Sequence, residues 1–183
     1  ERRDSMAIKT NQWIYLENAK WGRLFAADND KMDNDHMVET DPLRGSGDKY
    51  QWMIHPSGSC YYIQNKAHGF MFAADGDKID NDHIVECDPS VTTLSQAMAK
   101  GKAGSKWVWT ISEAAGSCAI TNGSHGKMFA ADADKKDDDH IVESRPGSTE
   151  SGTQWEWAMS DVWRPSSWMA DSAAAIGGVQ LKN

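Results

Sequence analysis

A chain of 183 residues, 39% of them apolar and 25% charged, is long enough to bury one hydrophobic core and short for two. Its formal net charge of −8 argues against a nucleic-acid partner, which requires clustered lysines and arginines, and no apolar stretch reaches the length of a membrane span. We therefore expect a single domain with terminal extensions, no nucleic-acid partner and no membrane span.

The three cysteines, Cys60, Cys87 and Cys118, have no CxxC spacing, which predicts neither a zinc site nor a dense disulfide framework. One disulfide with one free thiol is compatible with this count. The chain begins at Glu1, which fits the removal of a secretory signal as well as a trimmed sequence. On this basis we expect a secreted protein.

In chain order, the first element is a pair of strand-like segments that occurs three times. The copies read WIYLENAKWGRLFAAD, CYYIQNKAHGFMFAAD and SCAITNGSHGKMFAAD, and they end at Asp28, Asp75 and Asp132. Each copy has an Asn and a Gly at the same offsets, which predicts a turn between two short strands. A self-similar unit of roughly 50 residues indicates a repeat architecture.

Two further segments follow in every copy. The third reads HMVE or HIVE, and the fourth is centred on tryptophan in YQWMI, KWVWTI and QWEWAM. Residues 90–105 lengthen the second copy, and their small polar composition predicts a surface loop with a helical turn. Apolar residues elsewhere alternate with a period of two in short blocks, so we predict an all-β chain of twelve strands.

Large apolar residues that recur in all three copies form the predicted core. Burial of each such side chain contributes roughly 1.5–3 kcal/mol. The predicted core residues are Phe25, Phe72, Phe129, Val38, Val85, Val142, Trp52, Trp107 and Trp155. Three four-stranded units are too few for a propeller, so we expect one closed barrel capped by three hairpins.

This pattern resembles the β-trefoil, and the tryptophan strands are similar to the Gln-x-Trp repeats of ricin-B-like (R-type) lectins. The resemblance covers about residues 7–160, in repeats 7–56, 57–113 and 114–160, between an N-terminal extension (1–6) and a C-terminal tail (161–183). It implies that the first and fourth strands of each repeat form the barrel and that the second and third form a capping hairpin. It also implies a sugar ligand.

The sugar-binding residues of that family do not carry over directly. In R-type lectins an Asp on the second strand and a Gln on the third commonly hold the galactose hydroxyls. The matching positions here are Ala26, Ala73 and Ala130 on the second strand and Glu39, Glu86 and Glu143 on the third. The alanines depart from the family pattern, which implies either a pocket shifted toward the Asp and His residues of the acidic hairpin segments or a different lineage of β-trefoil lectins.

The candidate site is the acidic segment that connects the second and third strands of each repeat. Each copy keeps four aspartates, a histidine and a glutamate at fixed offsets and carries a charge of −4. Turn formation accounts for one or two aspartates in each copy, but not for four. The predicted carbohydrate-binding residues are Asp28, Asp30, Asp33, Asp35, His36, Glu39, Asp75, Asp77, Asp80, Asp82, His83, Glu86, Asp132, Asp134, Asp137, Asp139, His140 and Glu143.

Crowded carboxylates repel one another unless something offsets their charge. They accept strong hydrogen bonds from sugar hydroxyls, and a histidine either donates to the sugar or is a structural residue held by a neighbouring Asp. The ring before the turn Gly, at Trp21, His68 and His125, is a second platform or a packed turn residue. Bound calcium is the alternative, although no EF-hand is present because the segment lacks the required Gly and flanking helices.

Three equivalent sites suit multivalent glycan binding better than one catalytic cleft, and no nucleophile–histidine arrangement stands out. We therefore predict a multivalent lectin that is not an enzyme. The alternative is a protein-binding β-trefoil of the inhibitor, cytokine-like or actin-bundling type, with contacts in the 90–105 insertion or the 161–183 tail. The tail, with Trp163 and Trp168, is also a candidate homo-oligomer contact.

Overall fold

The computed structural model describes residues 8–162, which form a closed six-stranded barrel capped by three β-hairpins. The barrel strands are β1 (Trp13–Asn18), β4 (Trp52–Ser57), β5 (Cys60–Asn65), β8 (Trp109–Ala114), β9 (Ser117–Asn122) and β12 (Trp157–Asp161). The hairpin strands are β2 (Gly22–Met32), β3 (Asp35–Asp41), β6 (Gly69–Ile79), β7 (Asp82–Asp88), β10 (Gly126–Lys136) and β11 (Asp139–Arg145). Helix α1 (Leu94–Ala103) lies between β7 and β8.

The barrel closes because its strands pair in a ring. β1 pairs with β4 and β12, β5 pairs with β4 and β8, and β9 pairs with β8 and β12, all antiparallel. The third strands of the repeats, β3, β7 and β11, pair with one another in a triangle. The predicted division of each repeat into barrel strands and a capping hairpin is therefore confirmed.

The shared Asn and Gly residues build the turn that links each barrel strand to its hairpin. The Asn65 side chain donates to the Lys49 carbonyl (2.9 Å) and accepts from two backbone N–H groups of the turn, and the other two asparagines make equivalent bonds. Gly69 has a φ of 92°, and a Cβ there would collide with the carbonyl oxygen of Asp88. Both observations require glycine at this position.

The nine predicted core residues are all buried, but they divide between two layers. The three valines lie in the central barrel core with Trp52. Phe72 instead packs under its hairpin against Trp107, with ring centroids 4.6 Å apart. The other two phenylalanines form matching outer clusters with Tyr50 and Trp155.

The predicted equivalence of Trp52, Trp107 and Trp155 is wrong. The structure places Trp52 in register with Trp109 and Trp157, which are equally inaccessible to solvent. Each of these three indole N–H groups donates to a backbone carbonyl of β2, β6 or β10, at 3.0–3.2 Å. KWVWTI and QWEWAM each hold two tryptophans two residues apart, and the second of each pair faces the barrel.

Residues 90–105, predicted as a surface loop with a helical turn, contain the ten-residue helix α1. Thr93 caps the N-terminus of α1 with a capping box. Its hydroxyl accepts a hydrogen bond from the Gln96 N–H, and the Gln96 side-chain oxygen accepts one from the Thr93 N–H. Ala97 is buried and packs in the cluster that contains Tyr62, so the helix is fixed against the second repeat.

All three cysteines are free thiols, and Cys87 and Cys118 are buried, so the disulfide alternative is wrong. Within residues 8–162 no helix is long and apolar enough to cross a membrane. Residues 1–7 and 163–183, including Trp163 and Trp168 of the predicted tail contact, lie outside the described part of the chain.

Candidate functional site

Each acidic segment forms the end of a hairpin rather than a long loop. β2 and β3 pair at Ala26 and again at Lys31, so residues 27–30 form a β-bulge opposite one residue of β3. The chain then reverses on Asp33 and Asn34, whose φ angles of 51° and 71° are those of a two-residue type I′ turn. The other hairpins have the same geometry, so the predicted connection is a bulge followed by a tight turn.

The first aspartate of each segment accepts a hydrogen bond from an aromatic side chain of the next repeat, the His or Trp that precedes the turn Gly. Asp28 accepts a hydrogen bond from His68 Nε2 (2.7 Å) and forms an ion pair with Lys49 (3.4 Å), and these contacts lower the pKa of Asp28. His36 stacks on the His68 ring, with centroids 3.8 Å apart, and donates from Nδ1 to the Ala27 carbonyl (2.6 Å). We call this arrangement the ring latch.

The ring latch occurs at all three boundaries between repeats. The other two consist of Asp75 and His83 around His125, and of Asp132 and His140 around Trp21. All three loop histidines are buried, and each is held by a backbone carbonyl rather than by an Asp. The structure therefore favours packed turn residues over sugar platforms for these rings, and it leaves the loop histidines no open face for a ligand.

The glutamate that ends each segment is fully buried. Glu39, Glu86 and Glu143 have no exposed surface, and within residues 8–162 no donor reaches their carboxyl oxygens, although each protonated carboxyl can donate to the adjacent second aspartate. Burial, and then the adjacent Asp30 carboxylate, raise the pKa of Glu39 to about 9, and the other two glutamates have the same value for matching reasons. Near neutral pH these side chains are protonated, so direct ligand contact by them is not supported.

The remaining acids meet where the third strands of two hairpins pair. Continuing the antiparallel register by one residue sets Asp35 opposite Asp88, Asp139 opposite Asp41, and Asp82 opposite Arg145. We call these places the β3/β7, β11/β3 and β7/β11 junctions. Two junctions thus hold a pair of carboxylates, and the third holds a carboxylate and a guanidinium.

The electrostatics of the junctions differ accordingly. Burial, and then the charge of Asp88, raise the pKa of Asp35 to about 6, and burial followed by the carboxylate opposite raises the pKa of Asp139 to about 6. Neither side chain forms an ion pair within the described residues. Asp82 instead accepts two hydrogen bonds from Arg145, at 3.0 and 3.1 Å.

A pocket of about 660 Å³ opens at the β3/β7 junction. Its polar lining includes Asp35, Asp75, Asp88, Ser105, Lys106 and Ser124. Lys100 and Ala103 of α1 form one wall, and the other two repeats lack the insertion that supplies it. The volume lies in the range of small-molecule sites, which run from about 300 to 1,000 Å³.

The structure separates the twelve predicted aspartates into four groups. The first aspartates belong to the ring latches, and the third aspartates (Asp33, Asp80 and Asp137) are exposed at the turns. The second aspartates (Asp30, Asp77 and Asp134) are half-buried beside the glutamates. The fourth aspartates (Asp35, Asp82 and Asp139) lie at the junctions.

Sequence reasoning missed the residues that face the fourth aspartates, namely Asp41, Asp88 and Arg145. The signal was present, because DHMVETD, DHIVECD and DHIVESR end at equivalent positions and differ in the sign of the last charge. Among residues 8–162 no group of three or more His, Cys, Asp or Glu side chains is arranged to hold a metal ion. The calcium alternative therefore has no geometric support in this part of the chain.

No protein-family model and no curated protein matches the sequence. Among solved structures, the chain is similar to the Macrolepiota procera ricin B-like lectin in complex with lactose, with a TM-score of 0.60 and 13% identity over 86% of this chain and 100% of the lectin chain. The chain has a lectin-like β-trefoil fold. This similarity confirms the predicted fold class and the resemblance to β-trefoil lectins.

Two further structures agree with this β-trefoil fold. The Polyporus squamosus lectin bound to Neu5Aca2-6Galb1-4GlcNAc has a TM-score of 0.58 and 16% identity, over 85% of this chain and 50% of the lectin chain, so this β-trefoil spans half of that lectin's length. The designed threefold symmetric protein ThreeFoil has a TM-score of 0.58 and 12% identity, over 82% of this chain and 99% of its own. At such identities the likeness shows the fold alone, because one fold hosts many functions.

Proposed function

We propose that this β-trefoil is a carbohydrate-binding protein whose ligand lies in the clefts between the hairpins, at up to three sites. The observation that carries the proposal is the 660 Å³ polar pocket at the β3/β7 junction. Its carboxylates accept hydrogen bonds, and its lysine and serine side chains donate them, which matches a ligand that carries many hydroxyl groups. Similarity to lectin structures supports the same ligand class at the level of the fold.

The accessible aspartates provide the proposed sugar contacts. Asp35, Asp75 and Asp88 line the pocket, and the second aspartates are half-buried in the bulges of the hairpins, whereas the buried histidines and glutamates act indirectly by fixing the hairpins. The bulge, turn and latch occur three times, so a surface that offers repeated glycans would be bound with avidity. We further propose that the protein is secreted and binds glycans without converting them.

The first test is a glycan array probed with the labelled protein, once with calcium and once with a chelator. We expect binding to defined glycans that survives chelation, because the carboxylates would meet sugar hydroxyls directly. Binding that is lost with the chelator would contradict metal-free recognition. A blank array in both conditions would contradict the proposal and favour the protein-binding alternative through the insertion or the tail.

A triple variant separates binding from folding. Replacing Asp30, Asp77 and Asp134 with Asn should abolish array binding with little loss of thermal stability, because these half-buried acids form no ion pair within the described residues. The matched control, Asp48→Asn with Glu113→Gln, removes exposed carboxylates outside the hairpins and should bind normally. A collapse of stability in the triple variant would identify the segments as a structural charge network instead.

A further inference from the structure

We propose that the β3/β7 junction is the single carbohydrate site of the chain, and that helix α1 determines which glycans fit it. This inference deepens the proposed function and rests on it. It reduces the number of sites from up to three to one, so that avidity on a repeated surface would require several chains. The reason is that the repeats make the three junctions equivalent, but the chain itself fills two of them.

At the β7/β11 junction an arginine fills the cleft. Arg145 donates from Nε and Nη2 to the two carboxylate oxygens of Asp82, at 3.0 and 3.1 Å. Its guanidinium carbon also lies 4.9 Å from the centroid of the Phe129 ring and 5.3 Å from that of the Trp155 ring. The arginine therefore packs on the aromatic pair of the third repeat and occupies the acceptors of the aspartate opposite.

At the β11/β3 junction the linker after β3, residues 42–47, has a similar role. The Tyr50 hydroxyl donates to Asp41 (2.6 Å). The N–H groups of Leu43 and Gly45 donate to the same carboxylate, at 2.8 and 3.4 Å. A Cβ on Gly45 would lie 2.4 Å from the Tyr50 ring, so the linker backbone packs directly against that ring. The chain thus satisfies the Asp41 carboxylate and takes up the space beside the tyrosine.

The β3/β7 junction differs from both at the residues that fill the others. Asp88 stands at the position of Arg145, and Trp107 stands at the position of Tyr50 but has no hydroxyl group. Asp88 accepts instead from the N–H and the hydroxyl of Ser90, at 2.9 and 2.7 Å. The chain then continues into α1, and the pocket of about 660 Å³ lies beside Trp107.

Helix α1 is a fixed wall of this pocket. Ala97 is fully buried, and a Cβ on Gly101 would lie 2.1 Å from the Tyr62 hydroxyl oxygen, so the helix packs closely on β5. Lys100 and Ala103 line the pocket. Because the wall is in place before a ligand arrives, binding requires little ordering of the chain, and the size of the cavity limits the glycans that fit.

The lining suits a ligand with many hydroxyl groups. Lys100 forms no ion pair within the described residues, so α1 brings an ammonium donor to the pocket. Ser105 and Ser124, whose hydroxyl oxygens lie 2.5 Å apart, each offer a donor or an acceptor. The Asp35 carboxyl group adds an acceptor from β3. Donors and acceptors thus line one cavity, as recognition of neighbouring sugar hydroxyls requires.

Two tryptophan substitutions at equivalent positions test the number of sites. Ser124 and Ala67 are both exposed and both follow the turn Asn by two residues, but Ser124 lines the pocket whereas Ala67 lies beside the ring latch of Asp28 and His68. On the glycan array, Ser124→Trp should reduce binding to background, because the indole fills the pocket. Ala67→Trp should bind as the parent chain does.

The same pair of variants can overturn the inference. A loss in Ala67→Trp as large as that in Ser124→Trp would mean that several junctions bind glycans. Binding by Ser124→Trp at the level of the parent chain would mean that the pocket is not the site. Native circular dichroism of both variants is the control for folding.

A second pair tests the role of α1. Ala103 and Ser95 are both exposed on the helix, but Ala103 lines the pocket and Ser95 lies about two turns away from it. Ala103→Trp should lose at least the larger glycans on the array, and Ser95→Trp should keep the profile of the parent chain. An unchanged profile for Ala103→Trp would overturn the role of α1. Because Ala103→Trp leaves the turn at Ser124 intact, it tests the pocket even if Ser124→Trp does not fold.

The array also separates failure of this inference from failure of the proposed function. If glycans bind the parent chain but Ser124→Trp and Ala67→Trp lose equally, the single site is wrong and the carbohydrate-binding function stands. If no glycan binds the parent chain, the proposed function is wrong and the inference falls with it.

Discussion

The barrel and the hairpin triangle of β3, β7 and β11 both bury side chains completely. Burial stabilises the folded state in the barrel and destabilises it in the triangle. In the barrel, Trp52, Trp109 and Trp157 are fully buried, and each indole N–H has a carbonyl acceptor. In the triangle, Glu39 and its two equivalents are equally buried, yet no donor in the described residues reaches their carboxyl oxygens and their nearest polar neighbours are further carboxylates. Apolar burial with satisfied polar groups stabilises the fold, whereas unsatisfied buried carboxyls cost stability.

The difference indicates that the two regions serve separate purposes. The barrel favours folding, because its core is apolar and its three buried indole N–H groups are hydrogen-bonded. The acids of the triangle oppose folding at neutral pH and recur in all three repeats at the same offsets. Buried polar groups that break the rules of packing are expected at functional sites.

The largest expected effect tests the barrel. Trp109→Ala should lower the free energy of unfolding by about 3–5 kcal/mol, because it opens a cavity and leaves the Met71 carbonyl without its donor. Urea denaturation measures this loss. Trp109→Phe, which keeps most of the ring volume, should cost clearly less. Equal costs for the two variants would mean that the barrel does not depend on the packing described here.

The second effect tests the triangle through pH. The three glutamates have folded-state pKa values of about 9, and Asp35 and Asp139 have values of about 6, all above their unfolded values. Protonation of such groups favours the folded state, so their stabilisation is complete below the unfolded pKa and is lost as pH rises through about 6 and about 9. Calorimetry should show a lower Tm at pH 8 than at pH 5.

Glutamine substitutions identify the groups that cause the fall in Tm with rising pH. Replacing Glu39, Glu86 and Glu143 with Gln mimics the protonated side chains, so the triple variant should lose most of the fall in Tm between pH 5 and pH 8. At pH 8 it should be more stable than the parent chain. A variant that keeps the full slope would show that other groups cause it.

The smallest effect tests the ring latches, which connect the two regions. His68→Ala should cost about 1–2 kcal/mol, because it removes the stack on His36 and the hydrogen bond to Asp28. Loss of the latch should also raise the pKa of Asp28 toward its usual value, which carboxyl NMR titration measures. An unchanged Asp28 pKa would mean that the latch is not formed in solution.

Most of the fold could be predicted because the three copies repeat its apolar and turn residues. The Val, Phe, Asn and Gly positions have the predicted places, since packing and backbone geometry constrain them in each copy. The predicted equivalence of Trp52 with Trp107 was wrong because Trp107 and Trp109 are both large and aromatic. Only the position at which the barrel strand begins shows that Trp109 is the residue that faces the barrel core. Helix α1 was underestimated because its capping box lies in a stretch of small polar residues.

The candidate site was less predictable than the fold. A glutamate such as Glu39 is usually exposed, so its burial depends on the β3, β7 and β11 triangle, which no local pattern reveals. The pairing of Asp35 with Asp88 depends on the register between two different repeats. Arg145 was overlooked because its meaning appears only when the strand opposite it is known.

The ring latches also bear on how such a chain could have arisen. Repeat one holds a ring of repeat two, repeat two holds a ring of repeat three, and repeat three holds Trp21 of repeat one through Asp132. Each repeat therefore supplies an aspartate to one neighbouring repeat and a ring to the other. A single repeat on its own would lack both of these contacts. A single ancestral unit could have satisfied these contacts only by assembling with two copies of itself before duplication joined the three in one gene.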